Sequence, residues 1–328
     1  MWRNLFISAA KQAVRVTRRL AHPVTSRLIK RTRWGVLEQP NHIAPEKAKL
    51  FIDDFPWNKE MAEYHHNHLN RCLKTLDWLW GMPKNLRVLE IGGPPYGMTL
   101  LLRKYIFESI ATTSCSLVKP AKAEQQQVTR PVEKVVQFIS INGRTKYSFC
   151  ERDFNVETDP WPYEPGSFDL VIACEIFEHL ALDPMHAIGE ANRVLSPGGR
   201  LFITVPNCLA IRNVIAILEG RQPNSFPFYR PCSVNYRHNR ELTPTDLAAL
   251  YEAGGFAVER LECMNAYPQG LIDPLKLLGI RALGGSLSQR GDMLVGMGRK
   301  VGAIRERYPT ASQLYYKWDV SGLLELNR

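Results

Sequence analysis

The chain has 328 residues, of which 45% are hydrophobic and 23% charged, enough apolar material to bury one large core. The sequence contains no run of about eighteen apolar residues, which excludes a conventional membrane-spanning helix. Seven scattered cysteines without a C-x-x-C pair exclude a disulfide framework and a zinc ribbon, and are typical of reduced intracellular thiols.

The first 34 residues carry nine basic side chains and no acidic one. Without those nine, the 42 Lys and Arg fall to 33, against 32 Asp and Glu, so the rest of the chain is nearly neutral. Apolar side chains of this segment recur along one stripe of a helical wheel: Trp2, Leu5, Phe6, Ala9, Ala13, Val16 and Leu20. The pattern predicts a basic amphipathic arm over residues 1–34 that docks on an anionic membrane surface.

Three alternatives to membrane docking remain for the arm. It could be a helix packed on its own domain or on a partner subunit, a mitochondrial transit peptide, or a nucleic-acid-binding segment. Nucleic acid is the least favoured partner, because the neutral body offers no basic stripe that extends the arm. The expected location is the cytoplasm, peripheral on the inner face of the membrane if the arm docks, or mitochondrial if it is a transit peptide.

A helical cap segment is predicted over residues 35–83. Within it, the stretch from about 45 to 82 places apolar residues at helical spacing, and Pro83 ends the pattern: Leu69, Cys72, Leu73, Leu76 and Leu79. Three histidines at 65, 66 and 68 lie in this helix. A solvated helix face is the expected role for them, and contact with a substrate is the alternative.

The pattern then alternates between apolar strands and helices up to about residue 300. Strands are predicted at 86–91, near 112–118, and at 145–150, 168–174, 200–206, 256–264 and 292–300. Helices follow several of them, notably at 183–195 and after Thr243-Pro244. The segment 104–144 is expected to hold the second strand and then a long loop. The prediction is a doubly wound, mostly parallel, Rossmann-like α/β domain over 84–300 with a seven-stranded sheet, an N-terminal helical extension and a tail at 301–328.

The first strand runs into the turn "GGPPYG", which precedes a helix. Such a turn lets the backbone approach a polar ligand beyond the carboxyl ends of the strands. A dinucleotide fingerprint requires glycines at 92, 94 and 97, and position 94 is proline. A nicotinamide or flavin dinucleotide is therefore disfavoured.

The order of "LEIGG", "RDFN", "FDLVIACEIFEHL" and "DPMHAIGEANRVLSPGGRLFITVPN" resembles the class I S-adenosylmethionine-dependent methyltransferases, of the type 11-like kind, over roughly residues 84–300. The resemblance implies S-adenosylmethionine as the cofactor. It implies that Glu90, Gly92 and Gly93 lie against its methionine and ribose. Asp153 and Phe154 would hold its adenine, and Cys174 and Glu175 would meet its methionine end.

The chain departs from this family at two places. Pro94 and Tyr96 stand where the family has glycines, and no acid that would grip the ribose is evident around "CSLVKP". The departures leave a second interpretation: a methyltransferase-like fold that serves as a non-catalytic binding or scaffold subunit.

Glu175, Glu178 and His179 form an E-x-x-E-H pattern after the strand at 168–174. On a helix, this spacing would place all three on one face. The pattern resembles the metal-dependent O-methyltransferases of ubiquinone biosynthesis and the small-RNA 2′-O-methyltransferases, and His238 in "YRHNREL" matches a further histidine of the latter. The resemblance implies that Glu175, Glu178, His179 and His238 hold Mg²⁺ or Mn²⁺, which would bind a vicinal diol and activate one hydroxyl.

Two interpretations of this pattern need no metal. His179 could act as a base or border the acceptor pocket, with Glu175 and Glu178 beside it. Alternatively Glu178 is structural, as a cap or as a partner of Arg237 or Arg240.

The acceptor side of the site is predicted in the segment after the strand at 200–206. Its candidate residues are Tyr229, Tyr236, Arg237, His238 and Arg240, a composition that suits a sugar or an anionic acceptor but also an ordinary surface loop. The segments "HNRELT" and "RERYPT" look like those of bacterial members near glycan and cell-envelope genes. The expected reaction is O-methylation of a sugar or lipid-linked glycan hydroxyl, and the alternative acceptor is a lipid, a quinone-like compound or another small molecule.

Overall fold

An eight-stranded sheet forms the centre of the computed structural model, which describes residues 41–115, 133–223, 238–267, 274–282, 287–309 and 314–315. The strands are β1 (Val88–Ile91), β2 (Ala111–Cys115), β3 (Glu133–Ile139), β4 (Lys146–Phe154), β5 (Phe168–Cys174), β6 (Leu195–Pro206), β7 (Phe256–Met264) and β8 (Met293–Lys300). Their order is β3-β4-β2-β1-β5-β6-β8-β7. The five inner strands from β4 to β6 are parallel, whereas β3 and β8 run antiparallel to their neighbours.

Helices cover both faces of the sheet. They are α1 (Pro45–Asp53), α2 (Lys59–Leu79), α3 (Gly97–Tyr105), α4 (Pro184–Val194), α5 (Ile211–Leu218), α6 (Pro244–Ala253) and α7 (Pro274–Ala282). Helices α1, α2 and α3 pack on the face that carries Val88 and Ile172. Helices α4 and α6 pack on the opposite face, with Leu89 and Val171. Successive strand residues thus point to opposite cores, as a buried parallel sheet requires, and the predicted doubly wound α/β fold is confirmed.

The structure corrects the prediction of a loop before the strand at 146–154, because residues 133–139 form the edge strand β3. Its Val136 and Phe138 lie opposite Phe149 and Tyr147 of β4, while Val135 and Ile139 are exposed. In an edge strand with one exposed face, few apolar residues alternate with polar ones. The two-residue periodicity that indicates a strand in the sequence is therefore weak. The sheet therefore has eight strands, one more than expected.

The predicted cap segment is helical in the described residues from 45 onward. Asn58 caps α2 by accepting a hydrogen bond from the Met61 N–H, and Leu73, Leu76 and Leu79 bury one side of the helix on the sheet. In the described part of the chain, no helix combines the length and the apolar character that crossing a bilayer requires. The arm at 1–34 lies outside the described residues, as do Tyr229, Tyr236 and Arg237.

The described residues of the tail fold back over the loop that follows the E-x-x-E-H pattern. Arg307 and Tyr315 both bind the carboxylate of Asp183, which also caps α4 by accepting from the Met185 N–H. From the other side, Glu157 accepts hydrogen bonds from the backbone N–H groups of residues 182 and 183. This loop is therefore held at a fixed place beside the carboxyl ends of the strands.

Candidate functional site

The loop between β1 and α3 packs tightly on β2. The Gly93 N–H donates to the Thr113 carbonyl at 2.8 Å, and the Gly92 N–H donates to the Thr113 hydroxyl at 3.1 Å. Gly92 has a φ of 78°, and a Cβ on Gly93 would lie 2.0 Å from the Thr112 Oγ1. Glycine is therefore required at both positions, and the loop brings backbone to the carboxyl edge of the sheet where a polar ligand can approach it.

Tyr96 occupies a left-handed conformation, with a φ of 67°, at the start of α3. Its hydroxyl donates to Glu151, whose other oxygen lies 2.6 Å from the Lys134 Nζ, and its ring lies 5.1 Å from that of Phe138. Lys134 and Phe138 both belong to the edge strand β3. The extra strand thus provides the contacts that accommodate a tyrosine where the family has glycine.

Glu90 lies near the end of β1, with only 3% of its surface exposed. Its Oε2 has no hydrogen-bond partner among the described residues, and burial raises the pKa of the carboxyl to about 7. A buried carboxyl without a full set of partners beneath a glycine loop at the carboxyl edge of the sheet is typical of a functional site.

Replacing Glu90 by glutamine is expected to remove a pH-dependent loss of stability. The folded-state pKa of about 7 lies above the unfolded value of 4.5, so the folded state binds this proton more tightly. The stabilisation that protonated Glu90 gives the wild type is complete below the unfolded pKa of 4.5. It falls as pH rises from that value through the folded pKa of about 7. The unfolding free energy of the variant minus that of the wild type should therefore rise by about 1–3 kcal/mol over this pH range. Urea denaturation at a series of pH values measures this difference, and a difference independent of pH would contradict the assignment.

Asp153 and Phe154 end β4 and lie beside the end of β2, where Ser114 and Cys115 are their partners in the register. Asp153 is exposed at the carboxyl edge. Phe154 is buried, and its ring packs 5.9 Å from that of Trp161 within the core. Of these two candidates for the adenine site, Asp153 therefore has its carboxylate at the surface, at the carboxyl edge of the sheet. The Phe154 ring lies in the core beneath it.

Glu175 does not begin a helix, which corrects the expectation that Glu175, Glu178 and His179 share one helical face. Its φ is 57°, and the chain continues into a 3-10 turn, Phe177–His179. The turn is fixed because Ile176 and Phe177 are buried in the core.

Two hydrogen-bonding groups and one cation hold Glu175. Its N–H donates to the Thr204 carbonyl at 2.8 Å, and the Thr204 hydroxyl donates to its Oε1 at 2.9 Å. Its Oε2 lies 3.1 Å from the Arg71 Nη1. Beside it, burial raises the pKa of the Cys174 thiol above its usual range.

Glu178, His179 and His238 come together at the same edge. Each offers one donor atom, and these three atoms lie within 4.8 Å of one another. The His179 Nε2 is 3.7 Å from the Glu178 Oε1, and the two imidazole centroids are 5.0 Å apart. Three of the four residues in the expected metal site are therefore neighbours, and Glu175 lies outside the group.

Backbone hydrogen bonds bring His238 to this place. The Asn239 and Arg240 N–H groups donate to the Glu178 carbonyl at 2.7 and 3.2 Å, and the Asn239 amide donates to the His179 carbonyl. The His238 Nδ1 pairs with the Glu241 Oε1 at 3.0 Å. Arg240 itself lies over the tail, with its Nη1 3.4 Å from the Leu314 carbonyl oxygen.

Glu178 is the most deeply buried member of the group, with 1% of its surface exposed. Burial, and then repulsion from Glu175, raises the pKa of its carboxyl well above its usual range. Its Oε2 has no hydrogen-bond partner among the described residues. A buried carboxylate oxygen beside two imidazoles fits a bound cation or a proton transfer, and both are chemical roles.

Helix α2 carries the three histidines for which the sequence favoured a solvated face. The expected solvated face is wrong for His65, which is buried between the Trp57 ring and Gly97. Burial lowers the pKa of His65 and of His68 to about 4. The His68 Nδ1 lies 2.8 Å from the Tyr267 hydroxyl, whereas His66 remains at the surface on Asp53.

The comparisons with known proteins agree with this architecture. A family model for a methyltransferase domain matches residues 61–261, more than half of the chain. A probable S-adenosylmethionine-dependent methyltransferase of Mycolicibacterium smegmatis is 34% identical over 98 residues, which cover 30% of this chain and 32% of the relative.

Two crystal structures of S-adenosylmethionine-dependent methyltransferases resemble the chain at low identity. The enzyme of Mesorhizobium loti is 13% identical, with a TM-score of 0.41 over 70% of this chain and 97% of that one. The enzyme of Aquifex aeolicus is 12% identical, with a TM-score of 0.39 over 79% and 100%. The assignment depends on the family model and not on these superpositions. The chain spans about a third of the length of the curated relative that it matches, and it belongs to the methyltransferase domain family, of the class I S-adenosylmethionine-dependent kind.

Proposed function

We propose that this methyltransferase acts on oxygen and that its acceptor is a hydroxyl of a sugar or of a lipid-linked glycan. The observation that carries the proposal is the group of Glu178, His179 and His238, with its buried carboxylate oxygen and its two imidazoles. An alcohol is a far weaker nucleophile than an amine at neutral pH, so it needs a group that removes its proton or lowers its pKa. The group provides such help at the carboxyl edge, where the cofactor of this family binds.

The three residues fit a divalent cation, Mg²⁺ or Mn²⁺. A carboxylate with two imidazoles suits Mn²⁺ in particular, and three protein ligands leave positions open for acceptor oxygens. A cation held there would lower the pKa of a coordinated hydroxyl. The open positions favour an acceptor with two adjacent hydroxyls, such as a sugar diol or a catechol. Glu175, which is engaged by Arg71 and Thr204, is not part of the proposed ligand set.

The choice of a glycan over a smaller acceptor rests on two further features. The vicinal-diol geometry is common in sugars, and residues 1–34 have the basic amphipathic sequence of a segment that docks on anionic lipid. A lipid-linked glycan would carry the vicinal diol and would also lie at the membrane on which residues 1–34 are proposed to dock. A quinone-like or other small diol is the alternative acceptor.

Methyl transfer is expected only to diol acceptors and only with a divalent cation. The assay uses S-adenosylmethionine labelled in the methyl group, a panel of glycosides and catechols with vicinal hydroxyls, and a matched deoxy compound for each. Product should form with the diols, disappear in excess EDTA, and return when Mn²⁺ or Mg²⁺ is added in excess of the chelator.

The alternatives give different results. Undiminished transfer in excess EDTA would reject the cation and leave His179 as a metal-free base. Equal transfer to a diol and to its deoxy partner would reject two-point binding of the acceptor. Methylated catechol without methylated glycoside would support the smaller acceptor.

A further inference from the structure

Helix α5 carries an exposed apolar patch in its second half, which consists of Val214, Ile215, Ile217 and Leu218. Ile217 and Leu218 are 61% and 63% exposed, and Val214 and Ile215 are half-buried. Single exposed aliphatic side chains are ordinary on globular proteins, but here four of them lie within five consecutive residues. Such a patch is typical of a surface that binds another molecule or a membrane.

Basic side chains lie beside this patch. Arg221, just beyond the end of α5, and Lys276 of α7 both bind the carboxylate of Glu219. Arg281, in the last turn of α7, is exposed. These three cations are accompanied by a single carboxylate, so the group of four side chains is positively charged.

The first half of α5 lies against the acceptor side of the candidate site. Asn213 is 2% exposed, and its Nδ2 lies 3.4 Å from the Glu241 Oε2, while the other oxygen of Glu241 binds His238. Ile217 follows Asn213 by four residues, or about 6 Å along the helix axis. The patch is therefore close to the group of Glu178, His179 and His238.

The combination of apolar and basic side chains favours an anionic membrane over other partners. Aliphatic side chains bordered by lysine and arginine are typical of a helix that lies in the headgroup region of such a membrane. A second copy of the chain fits less well, because two-fold pairing would bring the basic side chains of both copies together. A nucleic acid also fits less well, since neither helix contains an aromatic residue that could stack on a base.

We propose that α5 and α7 form a docking face for an anionic bilayer. Ile217 and Leu218 insert among the lipids, and Arg221, Lys276 and Arg281 lie at the headgroup phosphates. The inference deepens the proposed function and rests on it for its purpose: the docked face holds the acceptor side of the site at the surface where a lipid-linked hydroxyl lies. It adds a membrane contact that belongs to the folded domain and not to the arm at 1–34.

The first test is co-sedimentation of the full chain with vesicles of phosphatidylcholine and phosphatidylglycerol. The double variant Ile217→Ser/Leu218→Ser should lower the partition coefficient at least about tenfold, because two aliphatic side chains no longer enter the lipid. Arg281→Gln should lower it about fivefold on these vesicles and leave binding to pure phosphatidylcholine unchanged. The matched control is Leu50→Ser on α1, where Leu50 is 71% exposed, and its partition coefficient should stay within about twofold of the wild type.

The second test separates α5 from the arm. Hydrogen exchange of the wild-type chain is followed with and without the anionic vesicles. The vesicles should slow exchange of the backbone amides in residues 211–221, and this protection should be lost in the double variant.

Four outcomes would overturn the proposal. Equal binding by the wild type and the double variant, with protection confined to residues 1–34, would mean that the arm docks alone. An equal loss in Leu50→Ser would mean that the position of the apolar residue does not matter. A wild-type dimer that dissociates in the double variant, seen by sedimentation velocity, would assign the patch to a second copy of the chain. Absence of wild-type binding to the vesicles would reject the docking face outright.

None of these measurements uses the acceptor, a metal or the cofactor. Failure of the O-methylation proposal would therefore leave their outcome unaffected. Conversely, a wild-type chain that methylates diols and ignores anionic vesicles would keep the proposed reaction and lose the docking face.

Discussion

Glu178→Gln is expected to lower kcat at least about a hundredfold, because a positioned group that assists proton removal contributes about that much or more. The same change should leave the chain as stable as the wild type or more so. Glu178 is 1% exposed and its Oε2 has no partner among the described residues, so ionising its carboxyl costs folding free energy, and glutamine has no such cost. A gain in stability with a loss of activity is the signature of a functional buried charge. Initial rates at saturating cofactor measure kcat. Urea denaturation measures the unfolding free energy.

The matched control for this change is Glu252→Gln. Glu252 is an exposed residue of α6, so its substitution should alter the unfolding free energy by less than about 0.5 kcal/mol and leave kcat unchanged. A Glu178→Gln variant that keeps wild-type activity would refute the chemical role of the group. A variant that loses stability as well as activity would indicate a structural carboxylate instead.

Gly93→Ala is expected to weaken the binding of S-adenosylhomocysteine by about ten- to a hundredfold, since overpacking of this kind costs about 1–3 kcal/mol. The added Cβ would lie 2.0 Å from the Thr112 Oγ1, so the loop would have to move away from β2. Adding Thr112→Ala should restore most of the affinity, because it removes the atom that the new Cβ meets. Calorimetry on the two single variants and the double variant measures the coupling.

Gly302→Ala is the control for the glycine substitution. No atom lies within 4 Å of a Cβ built there, and affinity should not change. If Gly93→Ala binds the ligand normally, or if Thr112→Ala rescues nothing, the close packing of the loop on β2 does not shape the cofactor site.

The inner strands of the sheet could be predicted because their apolar residues are contiguous. Strand β5, "FDLVIAC", is buried on both faces, and the sequence shows this directly. Strand β3 could not be predicted with the same ease, because one of its faces is exposed and it contributes only Val136 and Phe138 to the packing. Its existence depends on pairing with β4, a tertiary contact that a local pattern does not report.

The site, like the sheet, contains some contacts that the sequence could predict and others that it could not. Glu178 and His179 are adjacent in sequence. The E-x-x-E-H pattern that contains them, together with His238, resembles a family pattern, so their meeting could be expected. Arg71 meets Tyr267 across 196 positions, and nothing local in either segment indicates the contact. The helical spacing of Glu175, Glu178 and His179 was misleading, because a left-handed residue at 175 breaks the helix that the spacing assumes.

The position of strand β8 in the sheet has a consequence for folding during synthesis on the ribosome. Among the described strands, β8 comes last in the sequence and lies in the interior of the sheet, between β6 and β7. Strand β7 therefore cannot join the sheet until β8 has been made. Asp292, just before β8, also holds the backbone N–H groups of residues 266 and 267, which present the Tyr267 hydroxyl to Arg71. A nascent chain that already contains the glycine loop, Glu175 and Glu178 therefore still lacks the contact between Tyr267 and Arg71 of helix α2. Helix α2 therefore gains its contact with Tyr267 only after the residues that precede β8 have been made.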